Sequence, residues 1–328
     1  MIMFWVAVLA ISVLLYVLLD GFDLGVGMLF GITGDEARRS TMLSAVSPVW
    51  DGNETWLVVT GVILWGAFPP VYAALLSAFY LPLLLMLAGL ILRGVAFEFR
   101  ARAEASRRIW DIAFAGGSLL AAFVQGLTVG ALVEGLPIAN DRYAGGEFGW
   151  LSPFAVLCGI GLCLGYALLG ACWLVKKCEG EVRDDAYRVI SYLAGGLLVF
   201  LFAVFIYALV AHLRVMDRWF ERPYLLAFPA IGVIAVSVLA HSVSRRRDGV
   251  PFAMVALTFA AAFGTLAISF WPYMVPFSIT IDAAAAPHSS LAFMFWGEGL
   301  FVFPLMLIYA AVSYSVFRGK VRPMAGHY

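Results

Sequence analysis

The sequence predicts an all-α polytopic membrane protein with one integral membrane domain, 1–328, and about nine transmembrane helices. Of its 328 residues, 63% are hydrophobic and 13% are charged, whereas soluble domains average roughly 45–50% and about 25%. The apolar residues also form long runs near the ~20 residues that a helix needs to cross a bilayer. The net charge is zero, so no basic surface for nucleic acid is indicated.

The apolar runs give the individual helices. The predicted spans are 1–20, 49–69, 71–93, 111–133, 150–175, 189–212, 223–242, 250–273 and 291–317. The first lacks a basic leading segment and a small-residue cleavage site, so we interpret it as a retained span. The second is the weakest, because it reaches bilayer length only by including Asp51 and Glu54. Pro69 and Pro70 end it, and the third span would follow at once in a tight antiparallel pair.

The distribution of Lys and Arg predicts the orientation. Sixteen of these residues, including Arg322, lie in the loops after the first, third, fifth and seventh spans and in the C-terminal tail, against four in the opposite loops. Basic residues are concentrated on the cytoplasmic side of membrane proteins. We therefore expect the N-terminus outside and the C-terminus in the cytoplasm, which requires an odd number of spans.

Two short polar segments interrupt the apolar sequence at the predicted cytoplasmic face. They are Asp20–Gly27, reading DGFDLGVG, and Ser47–Trp56, reading SPVWDGNETW. Together they contain four carboxylates, Asp20, Asp23, Asp51 and Glu54. Within each segment the two carboxylates are three residues apart, so they share a helical face. Arg93 ends an uncharged run and can pair with one of them, and Glu98 follows it.

Charges at membrane depth cost about 2.5–3.5 kcal/mol each and often mark ion pathways. One interpretation is a hydrated, carboxylate-lined proton or cation path, because buried carboxylates gain proton affinity. The other is a set of interfacial side chains at headgroup level, with Arg93 as their counter-charge. The residues alone leave both interpretations open.

The remaining polar residues give weaker signals. Glu298 lies in the outer half of the ninth span, where it would face another subunit or a cavity, or form an interior hydrogen bond. Gln125 is expected to link two helices through a hydrogen bond.

No histidine lies in the middle of a span, and a haem needs axial ligands inside a helix bundle. We therefore expect the chain to bind no haem by itself. The histidines are His212, His241, His288 and His327, and the cysteines, Cys158, Cys163, Cys172 and Cys178, are expected to be buried helix residues without a metal.

These motifs resemble those of subunit II of cytochrome bd-type quinol oxidases. DGFDLGVG after the first span and SPVWDGNETWLV opening the second carry the resemblance most specifically. FPPVYAALLSAFYLPL, RGVAFEFR and WPYMVPFS follow in the expected order, so the resemblance extends over essentially the whole chain.

The resemblance implies a terminal oxidase of the bacterial inner membrane that couples quinol oxidation to reduction of oxygen to water. It places two b-type haems, one d-type haem and the quinol oxidation site in the partner, subunit I. Subunit II would complete the heterodimer, contribute Asp51 to cytoplasmic proton uptake, and could hold a structural quinone or lipid. Asp20, Asp23 and Glu54 would assist, with Arg93 as counter-charge and Glu98 and Glu298 as secondary candidates. A small accessory subunit is compatible with this family, and the short outer loops would also suit its cyanide-insensitive branch.

Two other functions would use the same residues. A secondary transporter or ion channel could employ the carboxylates, although transporter sites usually lie near the midplane in broken helices. The chain could also be a purely structural scaffold for subunit I.

Overall fold

The computed structural model describes residues 1–139 and 142–321, so Arg322 and His327 lie outside the described residues. The helices are α1 (Ile2–Ile32), α2 (Glu36–Val46), α3 (Trp50–Ala67), α4 (Pro69–Ala78), α5 (Tyr80–Arg100), α6 (Arg107–Glu134), α7 (Pro153–Lys177), α8 (Gly180–Val210), α9 (Arg214–Glu221), α10 (Ala227–Ser244), α11 (Val250–Phe270), α12 (Ile281–Ala284), α13 (His288–Met294) and α14 (Phe303–Val316). A 3₁₀ turn, Pro223–Leu226, precedes α10, and a π-helical segment, Phe295–Val302, joins α13 to α14. Two short antiparallel hairpins pair β1 (Ile138–Ala139) with β2 (Arg142–Tyr143) and β3 (Tyr273–Val275) with β4 (Ile279–Thr280).

Eight helical segments in the described part of the chain are long and apolar enough to cross a membrane. They are Ile2–Ile32, Tyr80–Arg100, Arg107–Glu134, Pro153–Lys177, Gly180–Val210, Pro223–Ser244, Val250–Phe270 and His288–Val316. The prediction of an all-α polytopic membrane protein is therefore confirmed. The predicted second span forms α3, which has 18 residues and a polar first turn and is not among the eight. That α3 crosses the membrane stays a prediction.

The predicted third span, 71–93, differs from the structure. The chain leaves helical geometry at Phe79 (φ −109°, ψ 25°), which separates the short α4 from α5. Pro82 in the first turn of α5 has no N–H to continue the hydrogen bonds of α4. The span instead runs from Tyr80 to Arg100, and α5 packs mainly against α6 while α3 packs against α1.

Helix α1 is central to the fold, because it packs against α3, α6 and α7. At its crossing with α7, a Cβ atom on Gly25 would lie 1.8 Å from the backbone oxygen of Tyr166, and one on Gly170 would lie 2.5 Å from the backbone nitrogen of Val26. Only glycine permits this approach. The crossing buries every residue of the segment Asp20–Gly27.

Candidate functional site

A stripe of buried polar side chains follows one face of α1. Ser12, Tyr16, Asp20 and Asp23 are spaced by four, four and three residues, which places them on a common face. Their exposed fractions are 0%, 6%, 0% and 2%. Because α1 is continuous through Ile32, both carboxylates lie on this helical face and are buried inside the protein.

Arg93 of α5 joins the two polar segments. Its Nη1 donates to Asp20 Oδ1 at 2.7 Å, and its Nη2 lies 3.5 Å from Glu54 Oε2. The Arg93 side chain is 2% exposed and that of Glu54 is 27% exposed. The guanidinium therefore connects a fully buried carboxylate to one that reaches the surface of the chain.

Asn53 of α3 holds the second buried carboxylate. Its Nδ2 donates to Asp23 Oδ2 at 2.7 Å, and its Oδ1 accepts from the Tyr314 hydroxyl at 2.7 Å. The sequence interpretation missed Asn53, although it lies three residues before Trp56 on the buried stripe of α3 that continues through Val59 and Ile63. Extending that stripe backwards by one turn would have identified it.

Three atoms of this group are buried without a hydrogen-bond partner among the described residues, namely Asp20 Oδ2, Asp23 Oδ1 and Arg93 Nη2. A crevice lined by Asp23, Trp50, Arg93 and Phe97 runs beside them and is too narrow to admit water. Buried polar atoms are normally paired. The carboxylate oxygens left unpaired here can each accept a proton without breaking a hydrogen bond.

Gln125 of α6 extends the polar group towards the middle of α1. Its Nε2 donates to the Tyr16 hydroxyl at 2.8 Å, and its Oε1 accepts from the Tyr166 hydroxyl at 2.9 Å. The amide thus links α6 to α1 and α7, as the sequence predicted for a helix–helix hydrogen bond.

The other predicted site residues make no side-chain hydrogen bond or ion pair with this group among the described residues. Asp51 is exposed at the start of α3, on the face that continues through Val58, Val62 and Trp65. Glu98 is also exposed. Glu298 is half-buried in the π-helical segment, beside a cavity at the other end of α3.

A second ion-pair network, which was not predicted, joins α2 to the ends of α5 and α6 beside the α5–α6 loop, and its Arg100 and Asp111 are buried. The Arg100 guanidinium donates to Asp111 Oδ1 and to Glu36 Oε2, and Arg39 Nη1 donates to Asp111 Oδ2 at 2.8 Å. Both guanidinium groups lie over the Phe30 ring, at 5.0 and 5.1 Å from its centroid. Asp111 lies three residues before the buried Phe114, so the same extension of a buried stripe would have identified it.

Asp248 in the loop between α10 and α11 ties the end of the described chain to α8. It accepts hydrogen bonds from Arg183, from the Tyr187 hydroxyl at 2.9 Å and from Lys320 Nζ at 2.7 Å. Burial opposes its ionisation, but the hydrogen bonds from Arg183, Lys320 and Tyr187 outweigh burial and lower the pKa of Asp248 to about 2. This group therefore has the chemistry of a structural ion pair.

The described residues form no evident site for a metal ion. Within residues 1–139 and 142–321, no three His, Cys, Asp or Glu side chains meet in a metal-binding arrangement. His212, His241 and His288 are exposed. The polar groups of the site are carboxylates, one guanidinium, carboxamides and phenols.

Comparison with known proteins gives consistent matches over the whole length. The family model described as cytochrome bd terminal oxidase subunit II matches residues 1–317. The probable cytochrome oxidase subunit 2 of Haemophilus influenzae is 32% identical, covering 94% of this chain and 89% of the relative. The cytochrome bd-I ubiquinol oxidase subunit 2 of Escherichia coli K12 is 28% identical, covering 97% and 94%. A chain in the structure of the bd oxidase from Geobacillus thermodenitrificans superposes with a TM-score of 0.77 at 17% identity, covering 96% of both chains.

Proposed function

Because the chain belongs to the cytochrome bd terminal oxidase subunit II family, we propose that it is the haem-free partner of a haem-bearing subunit I in a bacterial inner-membrane quinol oxidase. Subunit I would hold two b-type haems and one d-type haem and would oxidise quinol to reduce oxygen to water. This chain would lie with its N-terminus outside and its C-terminus in the cytoplasm, as its basic residues indicate. Its contribution to the reaction would be proton delivery.

The observation that supports this role is the charge of the group formed by Asp20, Asp23, Glu54 and Arg93. Arg93 pairs with Asp20 and Glu54, and Asn53 links Asp23 to the same group. With three carboxylates and one guanidinium, the group would carry two net negative charges if all its members were ionised. A net charge in a low-dielectric interior is costly unless it is paired or neutralised. The group therefore favours holding protons, and it can release them when a stronger acceptor is present.

Asp51 would receive protons from the cytoplasm. It lies three residues before Glu54 on α3, so both are on neighbouring positions of the helix surface. Glu54 is 3.5 Å from Arg93 and is the member of the group that reaches the surface. Protons would pass between Asp51 and Glu54 and exchange with the buried carboxylates Asp20 and Asp23, which act as a reservoir.

The partner would receive the protons across the exposed face of α3. Val58 and Trp65 on this face are 65% and 67% exposed, and Asp51 lies at its polar end. If subunit I covers this face, Asp51 and Glu54 lie at the interface between the two subunits. Excluding water from that interface would strengthen each hydrogen bond to a charged group, because the local dielectric constant is lower.

The first experiment is a reduced-minus-oxidised spectrum of the detergent-purified complex carrying a tag on this chain. We expect a haem-bearing partner to co-purify and to consume oxygen when quinol is added. A colourless protein that is stable alone would contradict the oxidase assignment and favour the transporter.

The proton role is tested by Asp51→Asn in the same complex. We expect slower quinol-dependent oxygen consumption with an unchanged haem spectrum, because the variant keeps the side-chain shape and loses the exchangeable proton. Glu147→Gln, a change to an exposed outer-loop carboxylate, serves as the control and should leave turnover unchanged. Full activity of Asp51→Asn at every pH would contradict the proton role and leave a structural scaffold.

A further inference from the structure

The side-chain amide of Asn53 is held by hydrogen bonds at both its nitrogen and its oxygen. Its Nδ2 donates to Asp23 Oδ2 at 2.7 Å and to the carbonyl oxygen of Leu19 at 3.3 Å. Its Oδ1 accepts from the Tyr314 hydroxyl at 2.7 Å. Neither the Leu19 carbonyl nor an ionised carboxylate can donate a hydrogen bond, so turning the amide over would place oxygen against oxygen. Asn53 is therefore a fixed hydrogen-bond donor towards Asp23.

The phenol of Tyr314 is itself held in place by α7. Its ring meets the ring of Trp173 edge to face, with 6.0 Å between the centroids. Just beyond Tyr314, Lys177 Nζ donates to the carbonyl oxygen of Phe317 and, at 3.0 Å, to that of Gly319. These contacts tie the end of α14 to α7, so they fix the Tyr314 hydroxyl relative to Asn53.

Asn53 differs in its chemistry from the other groups around Asp23. The ionisable groups that act on Asp23 are Asp20 of α1, Glu54 of α3, Arg93 of α5 and Tyr314 of α14, whereas Tyr166 of α7 acts on Asp20. The crevice beside Asp23 is lined from α2 and α6 by the apolar side chains of Val46 and Phe114. Among the described residues, Asn53 is the side chain that donates a hydrogen bond to Asp23, since Arg93 donates to Asp20 instead.

We propose that Asn53 and Tyr314 form a positioning pair that sets the proton affinity of Asp23; the effect of this pair on turnover rests on the proposed function. The hydrogen bond from Asn53 Nδ2 favours the ionised form of Asp23. It thereby counteracts the tendency of the negatively charged cluster to keep Asp23 protonated. Tyr314 acts through Asn53, because its hydroxyl donates to the amide oxygen and not to the carboxylate. With Nδ2 kept on Oδ2, a proton taken up by Asp23 goes to Oδ1, which has no partner among the described residues.

Tyr314→Phe tests the pair, because it keeps the ring against Trp173 and removes the hydrogen bond to Asn53. The amide is then held at its nitrogen alone, so it donates less well to Asp23. We expect the midpoint of the Asp23 titration to rise by about 0.5 pH unit, which is roughly a threefold gain in proton affinity. Asn53→Leu removes the donor altogether and should raise the midpoint by about one pH unit, or roughly tenfold. Tyr192→Phe, the same change to an exposed side chain of α8, is the control and should leave the midpoint unchanged.

Infrared spectroscopy of the detergent-purified complex across a pH titration measures this midpoint without turnover. The band of the protonated Asp23 carboxyl group is identified as the one that Asp23→Asn removes. Quinol-dependent oxygen consumption is then measured on the same samples. In Tyr314→Phe the alkaline limb of its pH profile, where Asp23 loses its proton, should move upwards by the same amount as the midpoint. A raised midpoint with an unchanged pH profile would support the positioning pair and contradict the proton role of Asp23.

Combining Tyr314→Phe with Asn53→Leu separates positioning from a general structural effect. If Tyr314 acts through Asn53, its replacement adds no further shift once the amide is absent. An additional shift in the double variant, or an unchanged midpoint in Tyr314→Phe alone, would overturn the positioning pair. A wild-type Asp23 band that does not titrate would also overturn it, because the donor would then fail to stabilise the ionised form. Slow turnover of Asp51→Asn beside any of these results would leave the proposed proton role standing.

Discussion

Two groups of charge, each built around a buried arginine, have opposite charge balances. The membrane cluster, Asp20, Asp23, Glu54 and Arg93, has three carboxylates for one guanidinium. The loop network, Glu36, Arg39, Arg100, Arg107 and Asp111, has two carboxylates for three guanidinium groups. Both oxygens of Asp111 are paired, whereas Asp20 and Asp23 each keep one oxygen without a partner among the described residues.

This difference in charge balance is the reason for proposing a structural role for the loop network and a proton-handling role for the membrane cluster. In the loop network, every carboxylate charge is offset, so adding a proton would only break a hydrogen bond. In the membrane cluster, adding a proton reduces an excess of negative charge in a low-dielectric interior. We therefore expect changes in the loop network to alter stability alone, and neutral replacements of the excess carboxylates in the membrane cluster to alter turnover alone.

The largest effect is expected from Arg93→Ala, which removes the only guanidinium of the membrane cluster. Breaking a buried ion pair typically costs about 3–5 kcal/mol, because one charge is left uncompensated. The complex should assemble poorly and melt at a lower temperature, as measured by fluorescence-detected gel filtration after heating. The double variant Arg93→Leu with Asp20→Leu should recover much of the loss, since apolar pairs can replace buried ion pairs at little cost. An unchanged melting temperature for Arg93→Ala would show that Arg93 is not the structural partner of Asp20.

Asp23→Asn should give the largest change in turnover without a loss of stability. Asn at position 23 can still accept the hydrogen bond from Asn53 but cannot carry an exchangeable proton at Oδ1. Positioned proton transfer contributes about 10²–10⁴-fold in enzymes, so we expect quinol-dependent oxygen consumption to fall by about 10² or until another step becomes limiting. Asn53→Asp, which keeps the size of that side chain, should restore a proton carrier when combined with it. Wild-type turnover for Asp23→Asn would place the reservoir elsewhere.

Asp111→Asn should have the opposite result. It weakens two charge-assisted hydrogen bonds, each of which contributes about 1.5–3 kcal/mol. Because the amide can still accept a hydrogen bond, we expect the free energy of unfolding to fall by about 2 kcal/mol. Turnover per assembled complex should stay at the wild-type value, because the variant leaves the excess carboxylates of the membrane cluster unchanged. A changed pH profile of turnover in this variant would mean that the loop network also handles protons.

The sequence predicted those features of the fold and of the membrane cluster that depend on residues close together in the chain. The apolar runs predicted most of the long helices, and the spacing of Asp20 and Asp23 placed them on one face of α1. The contacts that define the membrane cluster are not local, since Tyr314 reaches Asn53 across 261 positions. The break at Phe79 was missed because α4 and α5 together read as one apolar run.

The direction of Asp51 shows a different limit. Spacing alone puts Asp51 and Glu54 close together, but it does not say which side of α3 packs against α1. The buried stripe through Asn53, Trp56 and Val59 decides this, and it turns Asp51 outwards. A motif thus located the polar segment, whereas the periodicity of the apolar residues around it determined which of its side chains are buried.

The smallest effect is expected at Asp248, which extends the comparison to a third, more exposed group. Its folded pKa of about 2 lies below the ordinary value of an aspartate. Its contribution to stability is therefore complete above the unfolded pKa of about 3.9 and is lost as the pH falls from there towards 2.

Because such partly exposed ion pairs contribute about 0.2–1 kcal/mol, Asp248→Asn should lower the melting temperature slightly at pH 7. The difference in melting temperature between Asp248→Asn and the wild type should shrink below pH 4. Asp282→Asn, a change to an exposed carboxylate, is the matched control and should melt like the wild type throughout. A difference at Asp248 that was as large at pH 3 as at pH 7 would show that the side chain acts through its shape, and not through its charge.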